Sequence, residues 1–267
     1  MCIAYLRFQP GAAYPFIVAA NRDEFHARPA QVAHYWADQP EILAGRDLEA
    51  GGTWLGINPR QQRFALVTNY REPQQGQPPA AISRGRLVQD FLTGNQSVSR
   101  YLETIQAQHS AYAGFNLLVG QYLAQAEATL GYYSNRSPEG PQLLPPGDYV
   151  LSNHLLNSPW PKTTKLAQHM DQALQTRSEP KAESLLAALH DTAPAPEDEQ
   201  PDTGLSPELE KRLSSIFIVS PDYGTRCSTV LWAQPDGAGV MVEQSFDTQG
   251  QATDRIDWPL AFGTVSV

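Results

Sequence analysis

The chain has 267 residues, of which 41% are apolar and only two are cysteine, with a formal net charge of −9; this is the composition of a globular protein. No apolar run approaches the ~18 residues that a membrane helix needs, no basic-then-apolar secretory signal opens the chain, and two cysteines make no disulfide framework. These features predict a protein of the reducing cytoplasm with no integral membrane segment, and the net acidity speaks against nonspecific nucleic-acid binding, which draws on clustered Lys and Arg.

Residues 2–8 and 15–20 are apolar runs flanking Gln9-Pro10-Gly11, the pattern of a strand hairpin. Residues 53–57 and 64–69 read as another strand pair between Gly- and Pro-rich loops. Ser83 is placed to cap a helix through Leu92, with Leu87, Val88 and Phe91 on one face and Gly94 as its stop. Ser97 is placed to cap a second helix, whose stripe is Tyr101, Leu102 and Ile105. Residues 115–119, 126–133 and 149–152 return to strand, and 164–175 and 181–189 to helix. The stretch 193–204, rich in Pro, Asp and Glu, reads as a solvated loop, after which Ser206-Pro207 opens a short helix. Residues 215–219, 228–233, 239–246 and the segment around Ile256 close the chain as strands. Strand hairpins at both ends with helices between them predict an α+β fold, helices packed on antiparallel sheets. No internal repeat is present, and no linker is long enough to divide 1–267 into two domains.

The chemistry-bearing residues sit at the ends of these strands. Cys2 follows Met1 directly, and removal of Met1 by an aminopeptidase would leave a thiol and a free α-amine on one residue. An α-amine titrates near 8 and a thiol near 8.5, so the first can serve as base for the second; the plain alternative is a terminal cysteine that frays in solvent. Asn21-Arg22-Asp23-Glu24-Phe25 follows the second strand. It is either a turn with an internal Arg–Asp pair or a polar group lying one strand from Cys2, where Arg22 would favour the thiolate and Asp23 would hold the amine. Asn69 and Asn153 each end a strand, as turn residues or as amide donors to an oxyanion. Arg226, in Tyr223-Gly224-Thr225-Arg226, precedes a late strand.

Taken together, Met1-Cys2-Ile3, Ala19 to Phe25 with Arg28-Pro29, Gly51-Gly52-Thr53-Trp54-Leu55-Gly56, Thr68-Asn69-Tyr70, Gly114-Phe115-Asn116-Leu117, Leu151-Ser152-Asn153 and Tyr223 to Arg226 resemble the NRDE family, also called the transport and Golgi organisation protein 2 family. The resemblance runs in order over nearly the whole chain. That family is in turn similar to N-terminal nucleophile hydrolases of the choloylglycine hydrolase and penicillin V acylase type, which implies a four-layer αββα sandwich. It also implies Cys2 as the nucleophile attacking an amide, Asp23 as the carboxylate that binds the terminal amine, Asn69 and Asn153 on the oxyanion side, and Arg226 as the late active-site arginine. The arginine of those enzymes' Arg-Asn-x-Asp motif has no match, because position 20 is Ala; Arg22, two residues on and on the same strand face, is the candidate substitute.

Asn21, Trp54 and His154 are placed around the pocket by the same motifs. Cys227 in an expected strand reads as a small buried hydrophobe. The six histidines (His26, His34, His109, His154, His169 and His190) form no HxxH, HExxH or Cys/His cluster, so no metal site is expected. No P-loop or Gly-x-Gly-x-x-Gly is present, and Gly51-Gly52 reads as a turn beside the site. Three function classes stand open: an N-terminal cysteine amidohydrolase or thioester hydrolase acting on an acyl-bearing small molecule with no required cofactor; a carrier of haem or of an acyl group on the same fold; and an inactive scaffold. The carrier reading follows from the family's association with haem trafficking and lipid metabolism. Any haem would be a noncovalent ligand, for want of a Cys-x-x-Cys-His motif.

Overall fold

A computed structural model describes residues 2–73, 82–121, 127–175 and 179–263. Met1, whose removal the N-terminal chemistry turns on, and Ala126, the first residue of the strand expected at 126–133, lie outside the described residues.

Two antiparallel sheets organise the described chain. The first, in spatial order, holds β10 (Gly147–Leu151), β1 (Cys2–Phe8), β2 (Phe16–Phe25), β11 (Tyr223–Ala233), β12 (Ala238–Phe246) and β13 (Ala252–Ala261). The second runs β3 (Ala30–Tyr35), β4 (Leu43–Asp47), β5 (Leu55–Asn58), β6 (Arg63–Asn69), β7 (Phe115–Gln121), β8 (Thr129–Ser134) and β9 (Gln142–Leu143). Period-2 alternation divides each strand between two cores. Ala4, Leu6 and Phe8 of β1 and Val18 and Ala20 of β2 face Leu55, Phe64, Leu66 and Leu118 of the opposite sheet. The intervening residues face outward: Ile3, Tyr5, Ile17 and Ala19 meet Leu166 and Met170 of α3 (Pro161–Ala173) and Leu185 of α4 (Ala182–Ala188). On the far side Leu87 and Phe91 of α1 (Gly85–Thr93) and Leu102 of α2 (Val98–Ala107) cover Ala65, Val67 and Leu117. The layers are therefore αββα, as the resemblance implies. Each buried Leu or Phe in these interfaces contributes roughly 1.5–3 kcal/mol of transfer free energy.

Several elements differ from their sequence expectation. Asn21–Phe25 is the continuation of β2, not a turn after it: Asn21 pairs with Ile3 on one side and Ser228 on the other, and Asp23 with Thr225. Asn21 and Arg22 are laddered on both sides and Asp23–Phe25 by β11, so polar side chains are carried in a strand that local propensity would end. β11 begins at Tyr223, and Arg226 lies within it at a β-bulge between Thr225 and Cys227. Residues 215–219 form no strand, although Ile216, Phe217 and Ile218 are buried; their backbone is satisfied by Phe217 N–H to Asp191 O at 2.8 Å and Thr225 N–H to Ile218 O at 2.9 Å. β3 and β4, short and mixed in polarity, carry no period that marks them in the sequence. Ser83 is not the α1 cap: the helix starts at Gly85 with no side-chain cap. Ser97 does cap α2, accepting from Arg100 N–H, and Ser206 caps α5 (Pro207–Arg212), accepting from Leu209 N–H.

Candidate functional site

The two sheets splay at one end, where β1 begins and β2, β4, β6 and β12 finish, leaving a cavity of about 570 Å³ between them. Cys2 reaches it because it is the first inward-facing residue of β1, in phase with Ala4 and Leu6. Arg22 stands beside it on β2, in direct register with Cys2 on one flank and Cys227 on the other. The two thiols thus lie two strand spacings apart, roughly 10 Å, too far to bridge, and both are free.

Arg22, Asp23, Asn69, Trp54 and Arg226 line the same cavity as Cys2, so the structure brings these expected residues together. Asn21, Asn153 and His154 do not line it. Asn21 points to the helical side, donating from Nδ2 to Leu189 O at 2.9 Å and Ile216 O at 3.0 Å and accepting from Ser228 Oγ at 2.6 Å. His154 sits between the rings of Tyr70 and Trp160, with Nδ1 at 2.7 Å from Ser158 Oγ, and burial holds its pKa below the usual range. Asn153 acts on its neighbour: its Nδ2 donates to Asn69 O and to Asn69 Oδ1, both at 3.1 Å. With its Oδ1 so engaged, Asn69 has an Nδ2 that meets no protein acceptor among the described residues, at the cavity wall.

A buried polar chain connects this corner to the second sheet. Tyr132 OH donates to Asn116 Oδ1 at 2.9 Å, Asn116 Nδ2 to Thr68 Oγ1 at 3.1 Å, and Thr68 Oγ1 to Ser152 O at 2.6 Å. Ser152 Oγ in turn donates to the carbonyl of Cys2 at 3.0 Å. The backbone of Cys2 is thereby fixed by β1 pairing and by a side chain beyond the end of β10.

The charges around the thiol are largely desolvated. Burial pushes the Cys2 thiol up to about 11, with the Asp23 charge adding to the rise and Arg22 and a backbone hydrogen bond from Asp23 opposing it. Asp23 accepts from Thr225 Oγ1 at 2.7 Å, and burial raises its pKa. Behind it, on the helical side, Lys162 is buried with Nζ at 3.0 Å from Leu213 O; desolvation, helped by Arg71, pulls it down to about 7, while Asp23 and Cys2 act the other way. At the cavity mouth Arg22 lies 3.6 Å from Glu24 and 3.7 Å from Asp47, and Arg28 lies 2.6 Å from Asp47. Arg226 spends one nitrogen on the carbonyls of Phe25, His26 and Arg28 at 3.1, 3.1 and 3.3 Å, which ties down the turn after β2. Among the described residues no group of three or more His, Cys, Asp or Glu could hold a metal ion.

Four further residues belong to this region that the sequence did not single out: Arg84, Asp47, Glu243 and Lys162. Arg84 and Asp47 lie at element ends outside any of the quoted motifs. Glu243 sits in a strand between Val242 and Gln244 and reaches across between the sheets, accepting from Ala33 N–H at 2.7 Å and Thr229 Oγ1 at 3.2 Å. Lys162 carried one usable signal, its place directly after a proline at a helix start.

Fold and site together define an αββα sandwich with a cysteine at the head of an inner strand, open to a polar cavity. The chain belongs to the Transport and Golgi organisation 2 family, whose model matches residues 1–248. It is 36% identical over 259 residues to the Transport and Golgi organization protein 2 homolog of Bos taurus, covering 92% of this chain and 93% of that protein. It is 30% identical over 254 residues to Transport and Golgi organization protein 2 of Drosophila melanogaster, covering 89% and 88% respectively. Among solved structures it is similar to a Caenorhabditis elegans N-acylethanolamine-hydrolyzing acid amidase ortholog at a TM-score of 0.49 and 10% identity, over 88% of this chain and 93% of that one. No helix among the described residues is long and apolar enough to cross a membrane.

Proposed function

We propose that this protein is an N-terminal cysteine hydrolase of an amide or thioester in an acyl-bearing small molecule, with Cys2 as nucleophile once Met1 is removed. The observation that carries the reading is the placement of Cys2: the inward-facing head of β1, at the wall of a cavity, with Asn69, whose Nδ2 meets no acceptor among the described residues, on the same wall. Burial favours the protonated thiol, so it waits for a base rather than persisting as thiolate. The α-amine of a processed Cys2 is that base. It takes the S–H proton as sulfur bonds to the acyl carbon, and the carbonyl oxygen becomes an oxyanion that Asn69 Nδ2 meets. Collapse expels the amine or thiol leaving group, which takes the proton back. Water then adds to the thioester through the same base and releases the acid. Asp23 and Arg22 hold the amine and the thiol in place, and Asn153 orients Asn69. One amide donor to an oxyanion is worth roughly a hundredfold to a thousandfold in kcat.

The residues present do not fit a haem carrier. None of the described cavity-lining residues is a histidine, and both thiols are pushed by burial toward the neutral form, whereas iron takes a thiolate. The cavity is walled by arginines and carboxylates instead of a wide apolar slot.

The test is intact mass of the purified protein before and after incubation with a panel of acyl p-nitroanilides and acyl thioesters. A mass lacking Met1, and a transient acyl adduct that maps to Cys2 and disappears in Cys2→Ala, are the expected results. Retention of Met1 on the whole population overturns the mechanism.

A further inference from the structure

Five arginines line the cavity, Arg22, Arg28, Arg46, Arg84 and Arg226, and they divide into two sets. Arg22 and Arg28 share Glu24 and Asp47, and Arg46 lies 2.6 Å from Asp38. Arg84 and Arg226 make no ion pair with a carboxylate among the described residues. Arg84 donates from Nη1 to Gly114 O at 3.1 Å, and its other N–H groups meet no acceptor among the described residues. It is half-buried at the entry to α1, a helix with no acidic residue in its first turn. Desolvation works against its charge, with Cys2 and Glu24 the largest opposing influences, and Arg84 and Cys2 line the same cavity. A half-buried guanidinium without a counter-ion is costly to the empty protein and is relieved by an anion that enters.

We propose that Arg84, with Arg226 on the wall formed by the first sheet, is a subsite for the oxyanion of a ligand, a carboxylate or a phosphate, whose acyl group lies at Cys2, and that this subsite is open to small carboxylates. The preferred ligand of the cavity is thus an acyl compound that is itself an anion, and Arg84 selects it by charge. The inference rests on the hydrolase reading only in placing the acyl group at Cys2. The geometry favours Arg84 over its neighbours because the carboxylates that act on it, Glu24 and Glu72, are engaged by Arg22 and Arg136.

The experiment compares iodoacetate with iodoacetamide, reagents of nearly equal size that differ in charge. With either, Cys2 sulfur bonds to the methylene carbon, iodide leaves and the thiol proton passes to solvent, and the rate at Cys2 is read by peptide mass to separate it from Cys227. In the wild-type protein iodoacetate is expected to saturate and to outpace iodoacetamide by about tenfold or more, the scale of one charge-assisted contact. Arg84→Gln is expected to abolish that preference, and Arg84→Lys to keep part of it. Butyrate and inorganic phosphate are the competing arms: whichever protects Cys2 at lower concentration identifies the oxyanion, and protection by either is expected to vanish in Arg84→Gln. Equal rates in the wild-type protein, a preference that survives Arg84→Gln, or a Cys2 that neither reagent reaches would each overturn the subsite. Saturation and anion protection are measured on the wild-type protein, so a poorly folded variant leaves the test intact. Alkylation needs only a thiol and the guanidinium, so a retained Met1 sinks the hydrolase reading without touching this ratio.

Discussion

Lys162 shows how far the environment of the thiol reaches at the scale of single residues. It is buried behind Asp23, faced by Asp23 from β2, Arg71 beyond β6, Glu210 from α5 and Cys2 from β1, and desolvation brings it down to about 7. A lysine whose folded pKa lies below its unfolded value near 10.4 binds its proton more readily in the unfolded chain. Its contribution to stability therefore rises with pH from about 7 upward. The Cys2 thiol acts in the opposite sense above about 8.5, because its folded pKa is raised. Melting temperatures of wild type and Lys162→Met between pH 7 and 8.5 isolate the lysine: the wild-type value is expected to climb more steeply, and parallel curves would show that Lys162 titrates as in water. At this scale the sequence was informative where residues belong to motifs, since Cys2, Arg22, Asp23, Asn69, Trp54 and Arg226 meet at one cavity. It was silent on Arg84, Asp47 and Glu243, whose roles depend on which strands become neighbours across a gap.

Among the elements, α1 depends on a contact between two glycines. A Cβ on Gly52 would fall 2.7 Å from the carbonyl carbon of Gly85 and 2.9 Å from its oxygen, so the loop before β5 and the start of α1 touch backbone to backbone. That approach sets Arg84 against the cavity. Gly52→Ala is expected to cost about 1–3 kcal/mol in urea unfolding, the usual scale of overpacking, and to weaken the iodoacetate preference at Cys2 as Arg84 shifts. An unchanged midpoint would mean that the loop yields without cost. Element identity was readable from the sequence wherever apolar period was regular, as in β1, β6, β7, α1 and α2. It failed in opposite directions at two places. The polar end of β2 is held in a strand by β11 along its length and by β1 as far as Arg22, while the apolar run 216–218 is buried without joining a ladder.

Across the described molecule, a buried ion pair joins the second sheet to the helical layer behind the first. Arg71, just past β6, lies 2.7 Å from Glu210 of α5 and also donates to Leu213 O at 3.1 Å, its guanidinium 4.6 Å from the centre of the Trp160 ring. Glu210 is bonded in turn to the backbone N–H of Thr203 at 2.9 Å. Arg71→Met leaves that carboxylate buried without its partner and is expected to lower stability by about 3–5 kcal/mol. Adding Glu210→Gln should restore part of the loss, and additive losses in the cycle would show the two residues to be uncoupled. The layered architecture was the most legible level of all, because alternating strands and amphipathic helices each leave one face to cover. The cavity at its open end was not, because it is set by where strands stop.

β2 carries two lines of residues in a single tract of ten, Ala20, Arg22 and Glu24 toward the opposite sheet and the cavity and Ile17, Ala19 and Asn21 toward the helices, with Asp23 at the rim where it also borders the cavity. A single-codon insertion or deletion inside Phe16–Phe25 would exchange those lines, presenting Asn21 to the ligand and Arg22 to the helices. The turn at 9–15 carries no such constraint. Length variation among relatives of this chain is therefore expected to collect in that turn and to leave the interval from Phe16 to Phe25 untouched.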